Sequence, residues 1–145
     1  MIALIQRVSE ASVTVDADRV GAIGPGLLAL VAVEPGDGEP QARRMAERLV
    51  GYRVFEDDAG RMNRSLAQTG GGLLLVSQFT LAADTSRGMR PSFSGGADPL
   101  VAERWFYRLV ELCRASHGPV ETGRFRAHMK VTLVNDGPVT LWLRA

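Results

Sequence analysis

Apolar and polar residues alternate along the first third of the chain, a pattern that predicts β-strands. The alternation, with many β-branched residues, covers Ile2–Val8, Ser12–Asp16 and Arg19–Ile23. Leu27–Val33 is instead an unbroken apolar run, which is typical of a strand buried on both faces. Gly24-Pro25-Gly26 separates this run from the strand before it. The N-terminal third is therefore predicted to form a sheet.

Apolar residues recur at helical spacing in two later segments. In the first, Pro40 suits the first turn of a helix, and the predicted buried face consists of Ala42, Met45, Ala46, Leu49 and Val50. In the second, Asp98 can cap the helix and Pro99 fits its first position, while Gly118-Pro119 stops it. Its predicted buried stripe consists of Ala102, Trp105, Phe106, Leu109, Leu112 and Cys113.

The remaining segments complete the predicted order of elements. Leu73–Leu81 is a second buried strand, and Ala82–Gly96 is a long irregular segment of a length that usually carries function. Three further strands are predicted at Val120–Thr122, His128–Asn135 and Val139–Arg144. This order predicts a single α/β domain over 1–145, in layers. We expect a mixed, mostly antiparallel sheet or partial barrel with two main helices packed on one side.

Composition narrows the range of functions. The 145 residues are 46% hydrophobic, which is enough for one core, and the net charge of +1 gives no general field for a polyanion. Cys113 is the only cysteine, so no intrachain disulfide and no cysteine-based zinc site is possible. We expect neither a metal nor a cofactor. No apolar run reaches the roughly 18 residues of a membrane span, so we expect a soluble, cytoplasmic protein without membrane contact.

One candidate site is Ser77-Gln78-Phe79-Thr80, at the end of a predicted buried strand. A hydroxyl, an aromatic ring and free strand-end N–H groups could form a pocket for a planar base and a carbonyl oxygen. Ser77 and Thr80 are poor candidates for a nucleophile because the chain has no Gly-x-Ser-x-Gly elbow. The two histidines, His117 and His128, are remote in sequence, so a base could reach a hydroxyl only through tertiary contact.

A second candidate site is Gly137-Pro138. Glycine takes dihedral angles that other residues avoid, and proline removes an N–H and makes a cis peptide bond accessible. Such a turn can point two carbonyl oxygens the same way, which would give a rigid main-chain wall. The alternative is an ordinary hairpin turn between Lys130–Asn135 and Val139–Arg144, because glycine and proline are the commonest turn residues.

Five ordered motifs resemble those of the D-aminoacyl-tRNA deacylases, a family once called D-tyrosyl-tRNA deacylase. The motifs are Met1 to Val15, Ser77 to Leu81, Ala83 to Phe93, Val120 to Phe125 and Val134 to Thr140. The likeness runs in order from Met1 to about Leu143. It implies a homodimer that hydrolyses the ester between a D-amino acid and the 3′ adenosine of tRNA. Glycine, including glycine mischarged on tRNA(Ala), is implied as a second substrate.

The resemblance also implies roles for individual residues. Ser77, Gln78, Phe79 and Thr80 would line the active site, at the interface between the subunits. Gly137 and Pro138 of the partner would reach in and select chirality.

Two further positions match the family. Arg7 would brace the Gly137-Pro138 motif, and Met129 matches a methionine of the pocket. Before that methionine the family often has Gly-Ala-Asp, whereas this chain has Arg126, Ala127 and His128.

For the chemistry, we expect main-chain N–H groups near Phe79 and Thr80 to stabilise the oxyanion. A water assisted by the ribose 2′-hydroxyl would attack, Phe79 would stack on the adenine, and Arg87 and Arg90 would meet acceptor-stem phosphates. Three alternatives stay open. They are a Thr80 nucleophile, a non-catalytic dimer that binds RNA ends, and a small-ester hydrolase that uses Thr80 or Ser77.

Overall fold

The computed structural model describes every residue from Met1 to Ala145. In chain order the elements are β1 (Ile2–Val15), β2 (Asp18–Ile23), β3 (Gly26–Ala32), α1 (Glu39–Gly51), β4 (Arg53–Glu56), β5 (Met62–Ser65), α2 (Leu66–Thr69), β6 (Gly72–Ser77), a 3₁₀ helix (Phe79–Ala82), α3 (Pro99–Ser116), β7 (Val120–Thr122) and β8 (Met129–Arg144).

Strand β1 organises the main sheet. It pairs antiparallel with β3 through its first half and with β2 through its second half, and β8 pairs antiparallel along nearly its whole length. β6 then adds parallel to β3, and β7 adds parallel to β6. The sheet is mixed and mostly antiparallel, as predicted.

The sheet curls until its two ends meet. A Cβ on Gly21 of β2 would lie 2.5 Å from the carbonyl oxygen of Thr122 in β7, so these two backbones are in close contact. Seven residues, including Val13, Leu28 and Val76, form a core inside the curl. A larger core of 21 residues lies between the sheet and the helices. The predicted partial barrel is confirmed.

Helices α1 and α3 pack on one side of the sheet, as predicted. The five apolar residues predicted to face the core from α1 are all buried. In α3 three residues of the predicted buried stripe, Ala102, Trp105 and Leu112, are only half-buried. Val110, which was not predicted to face the core, is buried. Burial also raises the pKa of the Cys113 thiol to about 12, which fits the predicted core role.

An ion pair joins the two helices. The Arg108 guanidinium in α3 donates from Nε and Nη2 to the two carboxylate oxygens of Glu39 in α1, both at 2.8 Å. Arg43 contacts the same carboxylate at 2.7 Å. Hydrogen bonding from Arg108 holds the pKa of Glu39 below its usual value.

Three strand predictions were wrong in detail. Ile2–Val8 and Ser12–Asp16 were predicted as two strands, but one continuous strand, β1, covers both and ends at Val15. The strand predicted over Leu73–Leu81 ends at Ser77, and the chain turns into the 3₁₀ helix. The two C-terminal strands are a single strand, so Gly137-Pro138 is not a hairpin turn.

The short hairpin of β4 and β5 and the one-turn helix α2 were not predicted. None of the helices is both long and apolar enough to span a membrane.

Candidate active site

The end of β6 is where the first predicted site forms. The Gln78 N–H donates to the carbonyl of Val31 at 2.7 Å, which extends the pairing with β3 by one step. Gln78 then leaves strand geometry, with φ −141° and ψ 72°, and the 3₁₀ helix begins at Phe79. Phe79 and Thr80 are the first two residues of this helix, where main-chain N–H groups have no partner within the helix itself.

A cavity of about 370 Å³ opens beside this turn, between the ends of β3 and β6 and the N-terminal half of α3. That volume is within the usual range for small-molecule sites. Its lining is mostly apolar and consists of Val31, Ala32, Val33, Ser77, Phe79, Ala97, Pro99, Ala102, Phe106, Phe125 and Arg126. The Phe79 ring is 63% exposed and makes an edge contact with Phe93, with 5.3 Å between ring centroids.

The hydroxyl of Thr80 has no base as a partner. Its Oγ1 accepts a hydrogen bond from Nε2 of Gln78 at 2.5 Å. Nε2 of His117 lies 2.7 Å from the carbonyl oxygen of Gly71, and that histidine is half-buried there. No group of three or more His, Cys, Asp or Glu side chains is arranged to hold a metal ion.

The second predicted site is a wide bulge in β8. Gln6 pairs with Thr140 and Val8 pairs with Asn135, so residues 136–139 form an excursion opposite a single residue of β1. The Gly137–Pro138 peptide bond is cis, and Gly137 has φ +135°. Both residues are exposed, so their main chain is presented to the outside of this chain.

Arg7 of β1 holds this bulge in place through its side chain. Its side chain is buried, and its Nε donates to the Asp136 carbonyl at 2.9 Å while Nη1 donates to the Val54 carbonyl at 2.8 Å. A Cβ on Gly137 would lie 3.0 Å from Nη2 of Arg7 and 2.8 Å from Cγ2 of Val139. Only glycine therefore fits at this position without displacing a neighbour.

Asn135 closes the base of the same bulge. Its Oδ1 accepts from the Val139 N–H at 3.2 Å, and its Nδ2 donates to Oγ1 of Thr140 at 2.9 Å. Together with Arg7, these contacts fix the direction in which the bulge points.

Within one chain the two sites are far apart. Ser77 pairs with Val31, which lies opposite Ala3, whereas the bulge lies opposite Arg7 on the other side of β1. Counted along the curled sheet, the path between them is three strand spacings across, about 14 Å, and four residues lengthwise, about 13 Å.

Met129 is also outside the cavity. It packs on the inner core beside Val76, and its sulfur is 2.7 Å from where a Cβ of Gly123 would be. The structure thus brings Ser77 and Phe79 to one cavity with Gln78 and Thr80 beside it, and brings Arg7 to the bulge.

Comparison with known proteins gives the family. A model described as D-Tyr-tRNA(Tyr) deacylase matches residues 4–144. The chain belongs to this deacylase family. It is 72% identical over 145 residues to the D-aminoacyl-tRNA deacylase of Xanthomonas campestris pv. campestris (strain 8004), covering 99% of both proteins. It is equally identical, over the same shares, to the D-aminoacyl-tRNA deacylase of Stenotrophomonas maltophilia (strain K279a).

Two solved structures share the fold. One, named c-Myc DNA Unwinding Element Binding Protein, is 34% identical with a TM-score of 0.95, covering 100% of this chain and 99% of that one. The other, described as a probable eukaryotic D-amino acid tRNA deacylase, is 14% identical with a TM-score of 0.82, covering 99% and 98%. The family resemblance read from the motifs is confirmed, and with it the expectation that this chain is an enzyme, a hydrolase.

Sequence reasoning assigned no role to four residues around the two sites. Phe93 and Phe125 flank the cavity, Arg126 lines it, and Asn135 closes the bulge. Phe93 and Phe125 end motifs that the sequence analysis quoted, and Asn135 lies inside one, so the motif boundaries carried a signal. Their convergence depends on tertiary packing, which no local pattern encodes.

Proposed function

We propose that this chain hydrolyses the ester between a D-amino acid and the 3′ end of tRNA, and the corresponding glycyl ester, including glycine mischarged on tRNA(Ala). The observation that carries the proposal is the family match over residues 4–144, which includes both the β6 turn and the β8 bulge. Because aminoacyl-tRNA is the substrate, we place the enzyme in the cytoplasm, where translation occurs.

The cavity beside Ser77 would receive the terminal adenosine. Its apolar lining suits a planar base, and an exposed aromatic ring gives a base-stacking energy of about 1–3 kcal/mol. Phe79 has the required exposure, and its contact with Phe93 fixes the ring at the mouth. The ester carbonyl would then lie against the 3₁₀ turn.

For the chemical step, the N–H groups of Phe79 and Thr80 would stabilise the oxyanion that forms when water attacks the ester carbon. Aligned main-chain donors are typical of such sites, and each contributes about 2.7–4 kcal/mol of transition-state stabilisation. The ribose 2′-hydroxyl would assist the water. The rival route through Thr80 as nucleophile lacks a base, since the hydroxyl of Thr80 contacts only the Gln78 amide.

The bulge would supply the chiral selection. D- and L-aminoacyl groups contain the same atoms, so attractive contacts alone discriminate poorly between them. Strong rejection of the L-aminoacyl group needs a rigid surface that clashes with that enantiomer alone. The Gly137 and Pro138 main chain, held by Arg7 and Asn135, would be that wall. This wall would hold the α-amino group of the substrate and leave no room for the side chain of an L-amino acid. A glycyl ester has no side chain, so the wall would not exclude it.

A homodimer would bring the two sites together. Since the bulge and the cavity are remote within one chain, the bulge of one subunit must enter the cavity of the other for this mechanism. Strand β8 pairs with β1 only, so its outer edge is free along 16 residues. Such an edge is a template for another chain. Val134 and Trp142 on the same strand are 48% and 51% exposed.

A second candidate is a non-catalytic dimer that binds nucleic-acid ends. It is favoured by one observation, the 34% identity to a protein named for binding a DNA unwinding element. Release of free amino acid from D-Tyr-tRNA by the purified chain distinguishes the two functions, because a binding module would leave the ester intact.

The test of chiral selection is Gly137→Ala, assayed on D-Tyr-tRNA and L-Tyr-tRNA. The new methyl group would press on Arg7 and Val139, so the wall should shift and the D-to-L ratio of kcat/KM should fall by at least about tenfold, the effect of about 1.4 kcal/mol. The control is Gly36→Ala, which also places alanine at a positive φ, +87°, but has nothing within 4 Å of the new methyl group. An unchanged ratio in Gly137→Ala would exclude the wall.

A further inference from the structure

The turn that follows β7 carries a row of basic side chains beside the cavity. Arg124, Arg126 and His128 are exposed, whereas Phe125 and Ala127 between them are half-buried. The three basic residues are therefore presented to solvent within five residues of chain. We call Arg124–His128 the basic turn.

The basic turn is anchored at its start and at Phe125. The Gly123 N–H donates to the Leu75 carbonyl at 2.9 Å, which ties its start to β6. The Phe125 ring packs on Phe106 and Tyr107 of α3, with centroids 5.9 and 6.3 Å apart. The Ala127 N–H closes the turn on the Arg124 carbonyl at 3.2 Å. The arginines therefore project from a fixed backbone.

The charges of the basic turn are not neutralised within the chain. Neither Arg124 nor Arg126 makes an ion pair, although most arginines of α1 do. No Asp or Glu occurs between Glu121 and Asp136. Because the whole chain has a net charge of only +1, this local cluster is available to an anionic ligand.

Arg126 links this cluster to the cavity. It lines the cavity wall, and it has φ +62°, in the region that favours glycine. If the cavity holds a nucleoside, the rest of the RNA strand leaves through the cavity mouth. The Arg126 guanidinium lies there, beside the path of the phosphodiesters. Its planar fork matches phosphate oxygens in pairs.

We infer that the basic turn binds the RNA backbone immediately 5′ to the terminal adenosine. This inference rests on the proposed function, because it assumes that the cavity holds that adenosine. Arg126 would contact the first phosphodiester outside the cavity and Arg124 the next one. These contacts position the strand and take no part in the chemistry.

The experiment compares the double variant Arg124→Gln/Arg126→Gln with the wild type over 50–200 mM salt. Each lost phosphate contact to a single strand lowers the slope of log(kcat/KM) against log[salt] by about 0.7, so the slope should become shallower by about 1.4. KM for D-Tyr-tRNA should rise while kcat changes little. The loss should be much smaller on D-tyrosyl-adenosine, which has no phosphates.

The matched control is Arg43→Gln/Arg44→Gln, which removes the same charge from arginines that are already paired on α1. An unchanged salt slope in the Arg124/Arg126 variant would overturn the inference, and so would equal losses on the two substrates. Either result leaves wild-type hydrolysis of D-Tyr-tRNA intact, so failure of this inference is distinct from failure of the proposed function.

Discussion

At the residue scale, Arg7 shows how one side chain can set main-chain geometry. Its guanidinium is buried, but every contact it makes is with a carbonyl oxygen or with Glu56 at 3.8 Å. The two carbonyls come from the bulge of β8 and from β4, so Arg7 joins elements that do not pair with each other. The planar guanidinium reaches them from two separate nitrogens, Nε and Nη1, whereas a lysine would have to reach both from one ammonium nitrogen on a flexible stem.

Thr80 decides between the two routes for the chemistry. In Thr80→Ala the main-chain N–H remains and only the contact with Gln78 is lost, which is worth about 1 kcal/mol. We therefore expect kcat to stay within about tenfold of the wild type, measured in single-turnover assays with D-Tyr-tRNA. Thr80→Ser is the control. The covalent route would instead be established if the Thr80→Ser variant stays active while kcat of the Thr80→Ala variant collapses at preserved substrate affinity.

At the element scale, the Glu39–Arg108 pair holds α1 against α3. The folded-state pKa of Glu39 is lowered, so its charge contributes stability at pH values above the usual 4.5 of a free glutamate. That contribution is lost as the pH falls through the folded-state pKa.

Glu39→Gln tests this pair. The variant should be less stable than the wild type at pH 7, and the difference should shrink as the pH falls below 4.5. Urea unfolding at pH 7 and at pH 3 measures it. The control is Glu47→Gln, whose partner Arg44 lies in the same helix. A gap between wild type and Glu39→Gln that is equally large at both pH values would contradict the assignment.

Elements with a regular local pattern of apolar residues could be predicted from the sequence. Strand pairings between residues far apart in the chain could not. The apolar face of α1 and the proline at its start were sufficient to place that helix. Ser9 and Glu10 broke the alternation of β1, yet the strand continues because β8 pairs beside it. Gly137-Pro138 has the composition of a turn, but pairing of both flanks with β1 makes it a bulge.

The candidate site, like the fold, was predictable from the sequence only in its local parts. The hydroxyl of Ser77 and the aromatic ring of Phe79 do line one cavity, although the strand predicted to extend to Leu81 ends at Ser77. Arg126 and Phe125 reach the same cavity from a different part of the chain. That approach depends on β7 packing beside β6, which the sequence pattern alone does not specify.

At the scale of the whole molecule, one chain presents the two proposed half-sites in different places. The β6 turn offers a cavity and main-chain donors, and the β8 bulge offers a rigid exposed wall. A two-fold dimer would present each half-site twice and produce two complete sites. The free edge of β8 and the exposed Trp142 mark the surface that a second copy would cover.

The most direct measurement is complementation between two inactive variants. Phe79→Asp places a carboxylate where the base would stack, and Gly137→Trp, whose side chain is far too large for the space beside Arg7 and Val139, disrupts the whole bulge. When the two variants are co-refolded, half of the dimers are mixed and each mixed dimer has one intact site. The account predicts that D-Tyr-tRNA deacylation recovers to about a quarter of the wild-type activity. Activity that stays at the level of the separate variants would contradict a site shared between subunits.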